Sequence, residues 1–196
     1  MDWRKQMLIT NGQILVRKMQ YSNKDFFLLF KWLNNKKLLS FIEGPSSKFT
    51  KEQIIKKYGP RAKGEHYVTP CIIEFNSLAI GYLQFYPLQE AEILEYGVKA
   101  DKKQFGLDLF IGETNYWHQG IGTTVLKLMI QYLFTKQGAV DIYVDPQTWN
   151  TRAIKSYQKC GFKKLKVLRE HELFDGNLKD NQLMRRSLDK PPDLSE

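Results

Sequence analysis

Alternating hydrophobic and polar positions predict short strands in the first half of the chain. These strands are expected at residues 13–19, 66–75, 78–86 and 92–98. Asn76 and Ser77 separate the second strand from the third, which is typical of a hairpin turn. Apolar residues at helical spacing predict helices at residues 23–33, 36–42 and 51–58. Ser22 or Asn23 can cap the first helix and Thr50 the third, which Gly59-Pro60 is expected to stop.

From residue 105 onward the pattern changes to strands that alternate with helices. Strands are expected at residues 105–111, 139–144, 162–168 and 182–187. Helices are expected at residues 121–134 and 150–160, the second beginning at the N-cap Asn150 and ending at Gly161. A β-α-β-α-β order implies parallel pairing through crossover helices. The chain is therefore expected to be α+β, with one mixed sheet that is antiparallel in its N-terminal half and parallel in its C-terminal half.

Composition fits a single domain. The 196 residues are 42% hydrophobic, which is enough to bury a real core, and they contain no repeat, low-complexity tract or linker. We expect one domain over residues 1–196, with a core at about 12–187 and a frayed tail at 189–196. No membrane span or export signal is evident, and Cys71 and Cys160 lie too far apart in sequence to form a metal motif. These features predict a cytoplasmic protein with free thiols, no metal and no membrane partner.

Charge is distributed unevenly along the chain. The net charge of +9 suggests a polyanionic partner such as nucleic acid. Between Gly64 and Leu126, however, three lysines face eight carboxylates. The acidic stretch either lines a site for a cation or reflects chance segregation of charge on solvated surfaces.

A glycine pair marks a candidate phosphate-binding turn. Gly120 and Gly122 lie between the strand at 105–111 and the helix that follows, so the backbone N–H groups of residues 119–123 lack partners within the helix. They also lie at the positive end of the helix dipole and can bind a phosphate or pyrophosphate. The turn is not a P-loop, because Thr123 follows Gly122, and it is not a dinucleotide fingerprint, because Val125 replaces the third glycine.

Two further positions carry candidate chemistry. Asn150, Ala153 and Tyr157 share one helix face, on which Ala153 leaves room for a ligand and the Tyr157 hydroxyl could protonate a thiolate. The alternative is that Tyr157 is half-buried in packing. Asp108 interrupts an apolar strand, where a carboxylate needs a partner. It could meet a substrate ammonium, or local N–H groups could satisfy it.

Together these motifs resemble the acetyl-CoA-dependent N-acetyltransferases of the GNAT superfamily. Their acetyl-CoA loop has the form Gln/Arg-x-x-Gly-x-Gly/Ala, which Gly120-Ile121-Gly122 matches, with Trp117 at the first position. Residues 110–123, Asp145-Pro146, residues 170–173 and Leu183-Met184 resemble the aminoglycoside 6'-N-acetyltransferases over residues 12–187. The likeness is greatest to the acetyltransferase half of the bifunctional acetyl/phosphotransferase resistance enzyme.

The resemblance implies a GNAT-like sheet splayed around the co-substrate acetyl-CoA between the strands at 105–111 and 139–144. It implies direct acetyl transfer to the 6'-amino group of a polycationic aminoglycoside, which gives antibiotic resistance. Asp108 would be the base, directly or through water, and Tyr157 the acid. The expected acetyl-CoA contacts are Leu109, Ile111, Gln119, Gly120, Ile121, Gly122, Thr123, Asn150, Ala153 and Tyr157. The expected acceptor contacts are Trp32, Tyr86, Glu95, Asp108, Glu113 and Asp145.

Three other functions stay open. The acceptor could be another amine, such as a polyamine or a protein N-terminus. The basic residues Lys163, Lys164, Lys166 and Arg169 could instead belong to a nucleic-acid-binding module, although no recognition motif accompanies them. The chain could also be a sensor that binds acetyl-CoA without turnover. Sequence leaves open whether the protein is a monomer or a homodimer.

Overall fold

The protein forms one eight-stranded sheet with six helices, in a computed structural model that describes residues 7–188. The strands are β1 Met7–Thr10, β2 Ile14–Lys18, β3 Thr69–Phe75, β4 Leu78–Pro87, β5 Gln104–Ile111, β6 Asp141–Val144, β7 Lys163–Phe174 and β8 Asn177–Ser187. The helices are α1 Asn23–Trp32, α2 Lys36–Ile42, α3 Lys51–Lys63, α4 Glu90–Tyr96, α5 Ile121–Lys136 and α6 Thr151–Lys159. The expected frayed tail at 189–196 lies outside the described residues.

The mixed sheet is confirmed, but its parallel part is smaller than expected. The strand order is β1-β2-β3-β4-β5-β6-β8-β7, and β5 with β6 is the one parallel pair between the described strands. The prediction of a fully parallel C-terminal half was therefore wrong. A tight turn at Asp175-Gly176, with φ of 52° and 79°, joins β7 to β8 as a hairpin. This turn returns β8 antiparallel to β7, and β8 rather than β7 then pairs with β6.

The parallel pair is short, and the two strands then separate. Gln104, Phe105 and Gly106 pair with residues of β6, and β5 continues to Ile111 while β6 ends at Val144. Along its other edge, β5 stays paired with β4 from Phe105 to Ile111. The result is a wedge-shaped opening in the sheet between the C-terminal parts of β5 and β6.

Several helix ends follow from capping, and two of them correct the prediction. Thr50 forms a capping box with Gln53 at the start of α3, which runs past Pro60 to Lys63 because Gly64 supplies the left-handed C-cap at φ 78°. Residues 92–98 were expected to be a strand. They lie largely in helix α4, whose first turn is a capping box and whose end is the left-handed residue Gly97. Strand β1 was not predicted.

Apolar clusters cover both faces of the sheet. Helices α5 and α6 bury one face through residues such as Val125, Met129 and Ile154. Helices α1 to α3 bury the other face around Trp32, Leu29 and Ile54. Side chains along β5 point alternately to the two faces of the sheet. Leu107 therefore contributes to the first cluster, and Phe110 packs against the second. A third, small cluster forms where α4 meets β6 and β8.

A buried ion pair joins helix α1 to strand β2. Arg17 donates to both carboxylate oxygens of Asp25 at 2.7 and 2.8 Å and to Glu74 at 2.8 Å. Asp25 is 1% exposed and also accepts the backbone N–H of Gln20. The pair thereby fixes how α1 enters the structure beside the sheet.

Replacing Asp25 with alanine should lower the free energy of unfolding by about 3 kcal/mol, because it leaves the Arg17 guanidinium partly buried with one carboxylate fewer. Urea denaturation measures this loss. Asp180→Ala is the matched control, since it removes the exposed pair with Arg169 and should change stability much less. Equal losses in the two variants would contradict a structural role for the Arg17 pair.

Candidate active site

The wedge exposes backbone groups on one edge of β5. Gln104 C=O accepts from Leu88, and Gly112 N–H donates to Ile80, so the even-numbered residues direct their backbone groups toward β4. The odd-numbered residues face the opposite edge, and the Trp117 indole N–H accordingly reaches Ile111 C=O at 2.7 Å. Leu109 therefore presents its backbone N–H to the wedge rather than to a neighbouring strand.

The glycine turn lies at one end of the wedge. Gly120 is the N-cap of α5 at φ 76° and supplies no side chain to cap the N–H groups of the first turn. A Cβ built at Gly122 would meet only Ile111 Cγ1, at 3.9 Å, so the space beside the turn is open. The Thr123 and Ser156 hydroxyls hydrogen-bond at 3.1 Å and tie this turn to α6. The helix start is thus shaped to receive a phosphate group.

A cleft of about 460 Å³ runs along the wedge past this turn. Nine of the ten residues expected to contact acetyl-CoA line it: Leu109, Ile111, Gly120, Ile121, Gly122, Thr123, Asn150, Ala153 and Tyr157. Gln119 does not line it, and its side-chain amide donates to Asn115 C=O instead. Asn150 caps α6 by accepting the N–H of Ala153, which confirms the predicted start of that helix.

The cleft also contains basic residues that sequence reasoning missed. Arg152, Lys155 and Lys159 all line it from α6. The Arg152 guanidinium lies over the rings of Trp117 and Phe41, at 4.4 and 4.2 Å from their centroids. Arg152, Lys155 and Lys159 are spaced three and four residues apart along α6. This spacing puts them on one face of the helix and could have revealed a basic face beside the glycine turn.

A second cavity, of about 340 Å³, adjoins the cleft. This volume falls in the range of roughly 300–1,000 Å³ typical of small-molecule sites. The two spaces share seven lining residues, namely Phe41, Ile42, Leu109, Phe110, Asn150, Ala153 and Tyr157. Four carboxylates line the second cavity: Glu43, Asp108, Asp145 and Glu172. We call it the acidic cavity.

Asp108 lies in the acidic cavity beside Gln84, whose amide donates to Asp108 Oδ2 at 2.8 Å. The pKa of Asp108 is raised to about 7, because burial and the negative charge of Asp145 raise it more than the hydrogen bond from Gln84 lowers it. A carboxyl group that titrates near neutral pH can both accept and release a proton under working conditions.

Asp145 belongs to a second group of polar residues in the acidic cavity. The His171 ring lies between two carboxylates. Its Nε2 is 3.1 Å from Asp145 Oδ2, and its Nδ1 is 2.8 Å from Glu95 Oε1. These hydrogen bonds, the one to Asp145 first, raise the pKa of His171 to about 9, so the ring is an imidazolium at neutral pH. Asn181 donates to Asp145 at 3.2 Å, and its own Oδ1 is buried without a hydrogen-bond partner among the described residues.

Tyr157 lies where the cleft and the acidic cavity meet. It is 9% exposed, and burial together with the charges of Asp108 and Asp145 raises the pKa of its hydroxyl. The hydroxyl therefore stays protonated throughout the neutral range. The ring packs against Phe162, as the packing alternative expected, and the residue also lines both spaces, which is the position that the proposed acid needs.

Two residues expected to contact the acceptor lie elsewhere. Trp32 is fully buried, its indole N–H donates to Glu113 at 2.9 Å, and Gly112 packs against its ring. Glu113 is held by Trp32 and by Lys31 at 2.5 Å. The expectation for Trp32 is therefore corrected, because helix α1 turns this side chain into the core. Neither residue lines the acidic cavity.

Tyr86 and Glu95 stand behind the acidic cavity rather than in its lining. Tyr86 packs on Gly106, where a Cβ would lie 2.4 Å from the ring. Glu95 reaches the cavity only through His171. Of the eight carboxylates at 64–126, Asp108 alone lines this cavity, and Glu43, Asp145 and Glu172 come from outside that stretch. The expectation that the acidic middle of the chain lines the site is corrected accordingly.

Family comparison identifies the enzyme class. Residues 22–169 match the model of a family described as acetyltransferase (GNAT) domain. The chain belongs to the GNAT acetyltransferase family. It is an acetyl-CoA-dependent N-acetyltransferase, as the sequence motifs predicted, and acetyl-CoA is its co-substrate. No helix in the described chain has both the length and the apolar character needed to cross a membrane.

Named relatives are similar over most of the chain. An aminoglycoside N(6')-acetyltransferase type 1 of Klebsiella pneumoniae is 26% identical over 160 residues, which are 82% of this chain and 80% of that protein. A structure of AAC(6')-Ib in complex with ribostamycin and coenzyme A has a TM-score of 0.70 at 23% identity and covers 89% of this chain and 93% of the other. A structure of spermidine N-acetyltransferase from Vibrio cholerae in complex with CoA and spermine has a TM-score of 0.71 at 18% identity. It covers 90% of this chain and 96% of the other. The two solved structures show the shared fold.

Replacing Gly122 with leucine should weaken acetyl-CoA binding at least about tenfold, because the side chain would enter the cleft beside the phosphate-binding turn. The fold should persist, since the nearest atom to a new Cβ is 3.9 Å away. Isothermal titration calorimetry measures the affinity. Thr124→Leu, on the same turn but outside the cleft lining, is the control. Unchanged affinity in Gly122→Leu would contradict the placement of acetyl-CoA.

Replacing Asp108 with asparagine should stabilise the protein at pH 8 but not at pH 4. The folded state holds the Asp108 proton up to pH of about 7, whereas the unfolded chain releases it near 3.8, so ionisation destabilises the wild type as pH rises through that window. The variant has no carboxyl group to ionise at this position. Its free energy of unfolding should therefore exceed that of the wild type by about 2–4 kcal/mol at pH 8. Urea denaturation at both pH values tests this, and a gap independent of pH would contradict it.

Proposed function

We propose that this enzyme transfers the acetyl group of acetyl-CoA to the 6'-amino group of an aminoglycoside and so confers antibiotic resistance. The observation that carries the proposal is the convergence of Glu43, Asp108, Asp145 and Glu172 on a cavity directly beside the acetyl-CoA cleft. An acceptor with several ammonium groups offers the matching charge. The name of the Klebsiella pneumoniae relative supports the same acceptor.

The geometry supports a direct transfer in which both substrates are bound at once. Asp108 receives the ammonium and takes up its proton, directly or through water, and its pKa near 7 suits that role. The neutral amine attacks the thioester carbonyl, and the Leu109 N–H that faces the wedge stabilises the oxyanion. The C–S bond then breaks, and the neutral Tyr157 hydroxyl protonates the departing thiolate. The attached nitrogen loses its second proton to the Tyr157 oxygen, directly or through water, so that a neutral amide, free CoA thiol and the original tyrosine remain.

A polyamine is the second candidate acceptor, because the same carboxylates would hold a linear polycation. Amide groups beside the carboxylates favour the amino sugar. Gln147 and Asn181 also line the cavity, and Asn181 Oδ1 has no partner among residues 7–188. Sugar hydroxyls can both donate to and accept from such amides, whereas a polyamine chain offers only its nitrogens.

The free cysteines fit the expected reducing compartment. Cys71 and Cys160 are both buried and unpaired. We place the activity in the cytoplasm on that ground.

Release of CoA thiol from acetyl-CoA, with kanamycin, spermidine and a short peptide as separate acceptors, tests the proposal. Release with kanamycin, and mass-spectrometric assignment of the acetyl group to the 6'-nitrogen, is the expected result. Asp108→Asn and Tyr157→Phe should each lower kcat at least about tenfold and leave acetyl-CoA affinity unchanged. Release only with spermidine or with peptide would move the acceptor to those amines. Acetyl-CoA binding without release from any of the three amines would mean that the acceptor is a different amine.

A further inference from the structure

Gln84 is the direct neighbour of Asp108 across two paired strands. The two residues are register partners in β4 and β5, so their side chains lie side by side on the same face of the sheet. Gln84 Nε2 donates to Asp108 Oδ2 at 2.8 Å. No described residue hydrogen-bonds the other oxygen of this carboxylate, Oδ1.

Two donors fix the orientation of the Gln84 amide. Arg61 Nη1 and the Tyr82 hydroxyl both donate to Gln84 Oε1, at 2.8 and 2.9 Å. A guanidinium can only donate, so the amide oxygen must face Arg61 and the amide NH₂ must face Asp108. The donor to Asp108 is therefore set by the network and not by a free choice of rotamer.

The network is itself anchored in packed structure. Arg61 lies in the last turn of α3, with its guanidinium 5.5 Å from the ring centroid of Tyr58. Tyr82 is 3% exposed and packs edge-on against Tyr58 at 5.5 Å. Helix α3 and strand β4 thus hold Gln84 from the side opposite Asp108.

We propose that Gln84, oriented by Arg61 and Tyr82, is a positioning residue for acetyl transfer: it holds one oxygen of the Asp108 carboxylate and leaves the other for the incoming amine. This inference rests on the proposed role of Asp108. It extends that role, because it makes the geometry of the base depend on a residue that need not touch either substrate.

Electrostatics supports the same assignment. The hydrogen bond from Gln84 and the charge of Arg61 lower the pKa of Asp108, while burial, Asp145 and Glu172 raise it. Other titratable groups also interact electrostatically with Asp108, namely Tyr58, Tyr86, Tyr96 and Tyr157. Without the Gln84 donor, the influences that favour the protonated form would be less opposed, and less of the carboxylate would be available at neutral pH.

The first test needs no acceptor. Carbon-13 NMR of the aspartate carboxyl groups follows the titration of Asp108 in the free enzyme, with its signal assigned by its loss in Asp108→Asn. Gln84→Leu should raise the midpoint by about one pH unit or more, because a donor to the ionised form is lost. Tyr82→Phe should raise it less, since Arg61 still orients the amide. An unchanged midpoint in Gln84→Leu overturns the proposal.

A fallback variant keeps this test decisive if Gln84→Leu does not fold. Gln84→Glu preserves an acceptor for Arg61 and Tyr82 but replaces the donor to Asp108 with a second carboxylate. Its Asp108 midpoint should lie more than about one pH unit above that of the wild type, because a like charge adds to the lost hydrogen bond. A midpoint equal to that of the wild type would again overturn the proposal.

The second test separates positioning from a structural role through a double-mutant cycle. With whichever amine the thiol-release assay identifies, Gln84→Leu should lower kcat at least about tenfold in the wild type but less than about twofold in Asp108→Asn. Equal losses in both backgrounds would show that Gln84 acts on the fold and not through Asp108. Failure of the aminoglycoside assignment alone would leave the NMR result in place, so the two failures are distinguishable.

Discussion

The parallel pairing of β5 with β6 stops after Gly106 and Tyr143, and the site depends on the separation that follows. Because β5 stays paired with β4, its free edge presents the Leu109 backbone to the opening. Helix α5 begins soon after β5 ends, which places the glycine turn at one end of the wedge. Helix α6 follows β6 and brings Tyr157 to the point where the cleft meets the acidic cavity.

Opposite charges occupy neighbouring parts of one opening. Basic side chains from α6 line the cleft for the anionic co-substrate, and carboxylates line the cavity beside it. The net charge of +9 says little about this arrangement. At physiological ionic strength, charges are screened over about 8–10 Å, so the groups nearest each ligand dominate its electrostatics. A basic protein can therefore carry a cavity in which four carboxylates outnumber two basic side chains, Lys57 and Arg61.

The carboxylates of the acidic cavity repel one another, and neighbouring hydrogen-bond donors and positive charges partly offset this repulsion. Burying Asp108 near Asp145 and Glu172 disfavours ionisation, as the raised pKa of Asp108 shows. The Gln84 amide and the Arg61 charge act against this at Asp108, and the His171 imidazolium pairs with Asp145. The balance leaves a carboxyl group that can change protonation state near neutral pH, which a well-solvated aspartate would not do.

Local chemistry in the sequence determined the features that act over a few residues. The caps at Ser22, Thr50 and Asn150, the glycine turn at 120–122 and the alternation around Asp108 all depend on near neighbours, and the structure has each of them. These features were enough to indicate the family and to select residues that the fold brings together in one cleft. The helix at Glu90–Tyr96 was missed because the residue pattern at 92–98 was interpreted as a strand, although Gln89 and Gly97 cap a helix there.

Tertiary structure alone decided which distant groups share the acceptor site. Glu43, Glu172 and Arg61 lie far apart in sequence and reach one cavity through the β7–β8 hairpin and the helices over the sheet. The same packing turned Trp32 inward and placed β8 between β6 and β7. Strand order and side-chain facing are set by long-range burial and pairing, which a local pattern does not encode. The sequence therefore predicted the residues of the cleft better than those of the acidic cavity.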